Sequence, residues 1–431
     1  MLTEEARRER IGRMMALAKV YRGWTGTQLA TALGREPSRA VPLTGNPKLD
    51  LIERLADALE WETGEVAESL VEGEPADGGA ARDAANFDDL DGRAQQAHRA
   101  GDFAALEAIG HAMRRAAANA RERAIAANRL AGAYDGFGRY PRVLRCVQEG
   151  LAEERIGGDL QLMLLVNLAN AYYSLWSLHE SQSISGAIVE RFDATPPRGR
   201  LQGVAQAFGL AIRGHSRRRA LGRCASELEV LQTAEAAERD LAAAEAHYAR
   251  LAQEYDDPQY LGLANTARGG ALEARVAAGR CSADEAIEEV VARLDDAVDL
   301  SAPRTPHLVE SWGWWSVFGA NIALRAGQWP AEGVANRPGE HSDFERAIAI
   351  CTNKAAEIAE HLDHWSLRER AFTMEWFRRQ SVGHSPRGER VAWTLDAEDV
   401  RVLVGTMGRF PLFRPTGWAI LEHAVVGEVA A

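Results

Sequence analysis

The chain has 431 residues, of which 46% are hydrophobic and 26% charged, and this is the composition of a globular protein with a large core. Its formal net charge of −12 argues against a protein whose whole surface coats nucleic acid. The charge is unevenly distributed, because residues 1–48 hold nine Lys or Arg against four Asp or Glu and carry +5, which leaves −17 for the remainder. A basic surface confined to the N-terminal region is therefore compatible with phosphate binding.

Alanine and arginine dominate the composition. The chain contains 77 alanines, and alanine has the highest helix propensity, whereas strand-forming residues are sparse. Arginine supplies 47 of the 50 basic residues, and the GC-rich codons of Ala, Arg and Gly indicate a bacterial source with a GC-rich genome. The composition predicts an all-α protein.

The cysteines and the N-terminus point to the cytoplasm. The four cysteines are far apart and form no CxxC pair, so we expect neither a disulfide framework nor a zinc site. Residues 1–5 are charged and lack the apolar run of a signal peptide, and no apolar stretch is long enough for a membrane span. We therefore expect a cytoplasmic protein with no membrane partner.

A small, polar, Gly-rich stretch begins at Glu72 and can bury little surface. It predicts a linker over 72–87, with one domain at 1–71 and a long helical domain at 88–380. The remaining residues, 381–431, contain short apolar runs divided by Gly and Pro, and we predict that they form a terminal cap.

The N-terminal domain is predicted to contain five short helices. The first has an apolar stripe at helical spacing, and the second begins with a capping box at Thr25–Gln28 and ends at Gly34. Pro37 is predicted to begin a short third helix. The fourth follows Asn46-Pro47, and Thr63 caps the fifth. The stripe of the first helix consists of Ile11, Met14, Met15 and Ala18.

This pattern resembles the Cro/C1-type (XRE-family) helix-turn-helix domain over about Arg10 to Leu70. The matching sequence segments are Trp24-Thr25, Gln28-Leu29-Ala30 and Leu33-Gly34, followed by Gly45–Leu49 and Ile52–Leu59. In that family the start of the recognition helix enters the DNA major groove, and flanking groups bind phosphate. The resemblance implies that Ser38 and Arg39 reach base edges, and that the DNA backbone is held by Thr25, Arg35, Thr44 and Lys48.

The recognition segment departs from the family pattern. Residues 35–44 are about three residues shorter than a full recognition helix requires, and Pro42 removes an amide from it. Gly26 stands where the family often has a glutamine that touches DNA. An alternative interpretation is therefore a degenerate helix-turn-helix that no longer reads DNA.

The long domain resembles tetratricopeptide (TPR) repeats. The turn motifs Gly101-Asp102-Phe103 and Gly138-Arg139-Tyr140 lie 37 residues apart, close to the 34-residue TPR period. Ala131 supplies the small residue that such helix pairs need where they cross, while the next turn, Leu175–Leu178, lacks the glycine. The resemblance implies an α-solenoid with a concave groove.

The phase of the repeats places polar residues of the first helices on this groove. TPR domains that bind peptides use asparagines there, because an amide side chain both donates to and accepts from a peptide main chain. The alternative is a polar helix face that meets water. The predicted ligand-binding residues are Asn128, Arg129, Asn167, Asn170 and Tyr173.

Two further groups have alternative interpretations. Eight of the eleven tryptophans lie in the last 120 residues, which predicts a crowded core or, as the alternative, an effector pocket or dimer contact. Five arginines between Arg213 and Arg223 predict a solvated helix or loop that balances acidic neighbours, with a second nucleic-acid contact as the alternative.

No catalytic or cofactor motif is present, since the chain has neither a GxxxxGK[ST] phosphate loop nor a GxSxG elbow. His361 and His364 have helical spacing but no convincing carboxylate partner, and they are predicted to be solvated. We expect no catalytic residue, metal or cofactor.

Taken together, these patterns predict a bacterial transcriptional regulator that is not an enzyme. Its partners are double-stranded DNA and an effector, which is a peptide, a small molecule or a protein, and it is expected to form a homodimer. The alternative is a TPR-like interaction scaffold.

Overall fold

The fold comes from a computed structural model that describes residues 3–37, 42, 44–59, 61, 63–71, 86–297, 299–300, 304–328, 340–382 and 393–426. The chain divides into two compact units, unit 1 at Met1–Arg82 and unit 2 at Asp83–Ala431. The protein is all-helical apart from one two-residue strand pair within these ranges, so the predicted all-α class is confirmed. No helix in the described part is both long and apolar enough to cross a membrane.

Unit 1 contains four α-helices in its described part: α1 (Glu4–Arg22), α2 (Gly26–Ala32), α3 (Leu49–Leu59) and α4 (Thr63–Val71). The predicted stripe of α1 is buried, and it packs with the apolar faces of the other three helices. The predicted capping box is present at the start of α2. Most of the segment predicted as a third helix lies outside the described residues.

The described part of unit 2 consists mainly of α-helices. Its helices are α5 (Phe87–Ala100), α6 (Phe103–Ala116), α7 (Ala120–Gly136), α8 (Tyr140–Ala152), α9 (Gly158–Ser174), α10 (Leu178–Ala194), α11 (Gly199–Ala220), α12 (Glu227–Tyr255), α13 (Gln259–Ala277), α14 (Ala283–Leu294), α15 (Pro306–Gln328), α16 (Glu340–His361), α17 (Trp365–Val382), α18 (Ala397–Arg409) and α19 (Arg414–His423). Short 3₁₀ helices lie at Leu221–Arg223, Asp295–Ala297 and Pro411–Phe413. Strands β1 (Thr394–Leu395) and β2 (Val425–Val426) pair in parallel.

From α5 to α17, each helix packs against the next one along the chain. The odd-numbered helices of this series also pack against the next odd-numbered helix, from α5 through α17. The odd-numbered helices therefore form one continuous layer, and polar side chains on them face one another across neighbouring helices.

The turns after α5, α7 and α9, the first helices of the predicted repeat pairs, each contain a residue with left-handed backbone angles. Gly101 after α5 and Gly138 after α7 have φ values of 70° and 66°, and Trp176 after α9 has a φ of 63°. Glycine adopts this conformation freely, whereas an L side chain there costs about 1–2 kcal/mol. The tryptophan therefore occupies, under strain, the position that glycine holds in the two preceding turns.

The C-terminal residues 393–426 and α17 pack on α7, α8 and α9, and we call this packing the closure. The rings of Tyr140 and Phe410 lie 5.8 Å apart, and the Arg409 Nε donates to the Phe137 carbonyl oxygen at 2.8 Å. The hydroxyl groups of Tyr140 and Ser366 are 2.9 Å apart. The closure joins residues more than 200 positions apart, so the last elements of unit 2 lie against its early helices.

The arginine cluster near the end of α11 is solvated only in part, since Arg223 is exposed and the other four arginines are half-buried or buried. Arg218 is buried, and its Nη1 donates to Glu273 Oε2 at 2.6 Å. Arg213 and Arg217 both contact Asp240 on α12. The predicted acidic neighbours are thus confirmed, whereas the prediction of solvation is wrong for Arg218, because no local spacing shows that its partner on α13 is buried with it.

Gly138 is required both by its turn and by the closure. A Cβ at this position would lie 2.8 Å from the Cβ of Trp365, whereas a Cβ at Gly101 would meet nothing within 4 Å. Both glycines are left-handed. We therefore expect Gly138→Ala to cost about 1–3 kcal/mol more of the free energy of unfolding than Gly101→Ala, because only Gly138→Ala also overpacks the closure. Urea denaturation of the full chain measures both variants, and equal losses would contradict a steric role for Gly138.

Candidate functional site

The predicted DNA-contacting side chains of unit 1 lie at the ends of α2 and before α3. Thr25 is exposed and caps α2, since its Oγ1 accepts from the Gln28 amide at 3.2 Å. Arg35 follows the turn after α2 and is half-buried, while Thr44 and Lys48 precede α3 and are exposed. Ser38 and Arg39, the predicted base-reading pair, lie outside the described residues.

The loop that leads into α3 is anchored on α1. Arg7 donates to the Gly45 carbonyl oxygen at 3.1 Å and to the Asn46 Oδ1 at 2.7 Å. A Cβ at Gly45 would lie 1.9 Å from the Glu4 carbonyl oxygen, so only glycine fits against α1 there. The approach of the chain to Lys48 is thus fixed by α1.

Part of the basic charge of unit 1 also serves its own fold. Arg10 donates to the Ser69 carbonyl oxygen at 2.7 Å, and Arg22 donates to the Ala58 and Asp57 carbonyl oxygens at 2.9 Å. Hydrogen bonds to neutral carbonyls leave the guanidinium charges in place. These arginines therefore still add to the positive potential of the unit.

The predicted groove residues of unit 2 contact one another or their neighbours. Asn167 on α9 donates to the Oδ1 of Asn128 on α7 at 2.8 Å, and Asn128 is buried. Asn170 donates to the Asp135 Oδ1 at 3.1 Å. The structure thus brings Asn128 and Asn167 together, and it pairs Asn170 with a carboxylate that sequence reasoning did not identify.

Arg129 and Tyr173 have separate partners. The Arg129 Nε donates to the Asp91 Oδ1 on α5 at 2.7 Å. Tyr173 is buried, and the guanidinium carbon of Arg219 lies 3.7 Å from the centre of its ring. These two residues therefore do not form one site with the asparagines through direct contacts.

A polar group centred on Glu310 of α15 lies on the odd-numbered layer, and we call it the inner-face cluster: Asp135, Asn170, His307, Glu310 and His364. The Nε2 of His364 lies 3.2 Å from the Glu310 Oε1, which also accepts from the Trp314 indole at 3.0 Å. The Nδ1 of His307 lies 3.6 Å from the Glu310 Oε2. His364 was predicted to be solvated, and it is instead half-buried and in contact with Glu310.

The backbone fixes the orientation of the His364 ring. Its Nδ1 accepts from the Leu367 amide at 3.2 Å, which leaves Nε2 as the protonated nitrogen that faces Glu310. Burial lowers the pKa of His364, but the charge of Glu310 and their hydrogen bond outweigh that effect, so the pKa is raised. Burial likewise raises the pKa of Glu310, while His364, His307 and Trp314 outweigh it and lower the pKa.

For Asp135, in contrast to Glu310, the effects that raise the pKa outweigh those that lower it. Desolvation by the surrounding protein and the negative charge of Glu310 raise its pKa to about 6, against the opposing effects of His364 and Asn170. Solvent still reaches the Asp135 side chain, so its carboxylate is accessible at the surface. The positive charge of His307 on α15 also lowers the pKa of His98 on α5, after burial and Arg129. Groups from distant helices of the layer therefore share one electrostatic environment.

Two cavities adjoin α17. One, of about 270 Å³, lies between the α9–α10 turn, α17 and residues 410–416, and we call it the closure cavity. The other, of about 480 Å³, lies between α16, α17 and α18. In the larger cavity Arg368 pairs with Asp363 and Arg379 pairs with Glu375, and the wall carries further carboxylates, among them Glu360.

Known proteins add no assignment to these sites, since comparison with models of protein families and with curated proteins finds no match for this chain. No group of three or more His, Cys, Asp or Glu in the described part has an arrangement that could hold a metal ion. Sequence reasoning missed Asp135, His307 and Glu310, because they come from helices about 170 residues apart. For Trp176 the signal was available, since its turn lacks the expected glycine.

Replacement of Asp135 tests the raised pKa. A carboxyl whose pKa is higher in the folded state than in the unfolded state destabilises the fold once it ionises. We expect Asp135→Asn to stabilise unit 2 by roughly 1 kcal/mol at pH 7.5, a modest gain because solvent screens an exposed carboxylate. The gain should shrink as the pH falls from about 6 towards 4, where Asp135 is protonated. Thermal unfolding across this pH range measures it.

The matched control is Asp193→Asn on α10. This carboxylate is exposed and makes no hydrogen bond or ion pair with described residues. We expect its removal to change stability little at either end of the pH range. A stability gain for Asp135→Asn that does not vary with pH would contradict the raised pKa.

Proposed function

We propose that the protein is a bacterial, cytoplasmic DNA-binding transcriptional regulator with no catalytic role. In this proposal unit 1 is a Cro/C1-type helix-turn-helix head, and unit 2 is a TPR-like α-solenoid that binds an effector and forms a homodimer. Effector binding would change the spacing of two heads and hence their fit to DNA half-sites.

The observation that carries the proposal is that unit 1 buries its apolar side chains and exposes the predicted phosphate-contacting ones. The apolar stripes of α1 to α4 are buried against one another in a core of their own. The predicted phosphate-contacting residues Thr25, Thr44 and Lys48 remain exposed, and the loop before α3 is anchored by Arg7. A small domain that fixes polar and basic side chains on its surface in this order is typical of a helix-turn-helix.

The packing order of unit 2 supports the second half of the proposal. Consecutive helices pack in pairs, and the odd-numbered helices form a continuous layer, as the first helices do in TPR-like stacks. Asn128, Asn167 and Asn170 lie on that layer, where Asn167 donates to Asn128 and Asn170 donates to Asp135. In this proposal the layer binds a peptide, small-molecule or protein effector through its polar side chains.

One observation favours the alternative, an interaction scaffold whose head does not read DNA. Pro42 is buried and donates no backbone hydrogen bond, and only residues 35–48 separate the turn at Gly34 from α3. A recognition helix in this segment must be short. The two proposals differ in whether the full chain selects a DNA sequence.

Selection from a random duplex library with the full chain tests DNA reading. We expect one sequence family to be enriched, with an affinity that falls as salt rises. Arg39→Ala should weaken binding to the selected sequence by about 1–3 kcal/mol and relax its specificity, because arginine reads base edges. Lys48→Ala should weaken selected and scrambled duplexes equally and lower the salt slope by about one, because it contacts phosphate.

Arg198→Ala is the control, since it removes one exposed positive charge from unit 2 and should leave both affinities unchanged. Fluorescence anisotropy over a salt series provides the measurement. If the wild-type chain enriches no sequence and binds all duplexes equally, the scaffold proposal stands and DNA reading is excluded.

A further inference from the structure

The closure cavity has an apolar wall. It is lined by Leu175 and Trp176 of the α9–α10 turn, by Phe377 of α17, and by Phe410, Leu412 and Phe413. Phe377 and Leu412 are 47% and 65% exposed, respectively, which is high for large apolar side chains beside a concave space. Cavities with apolar walls and a few polar groups are the usual form of small-molecule sites.

The only carboxylate among its lining residues is already saturated. Glu369 is buried, and its Oε2 accepts from the Arg370 Nε at 2.6 Å. Its Oε1 accepts from the Arg370 Nη2 and from the Thr373 hydroxyl. Glu369 therefore has little remaining capacity to bind a cationic or hydrogen-bond-donating ligand.

Donors and positive charge, in contrast, remain available. The Arg370 Nη1 donates no hydrogen bond to any described group, and Arg223, which also lines the cavity, is exposed and pairs with no described carboxylate. Arg219, whose guanidinium lies 4.6 Å from the Trp176 ring, forms no ion pair within the described part. Burial and the positive charges of Arg370 and Arg218 lower the pKa of Arg219 to about 10, so it stays protonated at neutral pH.

The backbone of Trp176 provides an independent observation. This residue is left-handed at a position where earlier turns have glycine, and its ring lines the cavity. Strained backbone of this kind clusters at ligand-binding and active sites, where the surrounding contacts hold it in place. Guanidinium groups of Arg219 and Arg370 contact its ring, which places an aromatic wall beside positive charge.

We propose that the closure cavity binds a small organic anion, a carboxylate or phosphate ester with an apolar body, through Arg223, Arg370 and Trp176. The apolar body lies against the aromatic wall, and the anionic head accepts from the two arginines. Since the cavity joins the α9–α10 turn to residues 410–416, the ligand stabilises the closure. As an assignment of the effector class, this inference rests on the proposed function.

Isothermal titration calorimetry of the full chain, without DNA, tests the proposal. The probes are 3-phenylpropionate, phenyl phosphate, neutral 3-phenylpropionamide and cationic 3-phenylpropan-1-amine. We expect at least one of the two anions to bind and to raise the melting temperature. The amide should bind about tenfold more weakly than 3-phenylpropionate, because it lacks the charge-assisted hydrogen bonds, and the amine should not bind. The two anions distinguish a carboxylate site from a phosphate site.

Variants localise the binding. Arg223→Ala should weaken the binding of the anion about tenfold without affecting the amide, whereas Arg198→Ala, an exposed arginine outside the cavity, should change neither. Trp176→Gly keeps a residue suited to the left-handed turn and should reduce the binding of both. Circular dichroism checks that the variants remain folded. Because Arg223 is exposed, its replacement should leave the fold intact, so the test stands even if Trp176→Gly disturbs the turn.

Three results would overturn the proposal: neither anion binds, the amide binds as tightly as the acid, or Arg223→Ala behaves like Arg198→Ala. The failure of the two proposals can be told apart. Anion binding without DNA selection rejects only the regulator, and DNA selection without anion binding rejects only the cavity.

Discussion

The closure is the interaction on which the architecture of unit 2 depends. A stack of helices buries a core between neighbours and leaves its ends open, but here Phe410 and Phe413 join the core formed by α7, α8 and α9. This packing sets the aromatic wall of the closure cavity. It also brings α17 beside Tyr140, and it leaves His364 in the turn just before α17 close enough to affect Asp135.

The local features of the fold were predictable because their causes are local. The capping box of α2 needs only Thr25 and Gln28, and the α1 stripe needs only the 3.6-residue period. The turns at Gly101 and Gly138 follow from the conformational freedom of glycine. In each case the residues that decide the structure lie within about one or two helical turns of one another.

The sites of unit 2 were not predictable, because their partners meet only through packing. The sequence predicts a solvated face for the arginines of α11, yet Arg218 is buried against Glu273 of α13. An ion pair this deep costs desolvation on both sides, and a good geometry with further donors such as Asn321 offsets that cost. Similarly, Glu310 becomes a site only when His364, 54 residues later, reaches it. The sequence shows the charges, while the fold decides which of them are paired.

The inner-face cluster and the closure cavity differ in how their hydrogen-bond acceptors are paired. In the inner-face cluster the buried acceptors are met by donors of the protein itself, since Glu310 accepts from Trp314 and faces two histidines. The Glu310 carboxylate therefore needs no ligand, although the buried His307 Nδ1, 3.6 Å from it, makes no hydrogen bond. In the closure cavity the lining carboxylate of Glu369 is paired with Arg370, while the exposed Arg223 pairs with no described carboxylate. An anionic ligand at the closure cavity gains charge-assisted hydrogen bonds from Arg223 and from the Nη1 of Arg370. We therefore expect an anion to bind at the closure, where it also links the α9–α10 turn to residues 410–416.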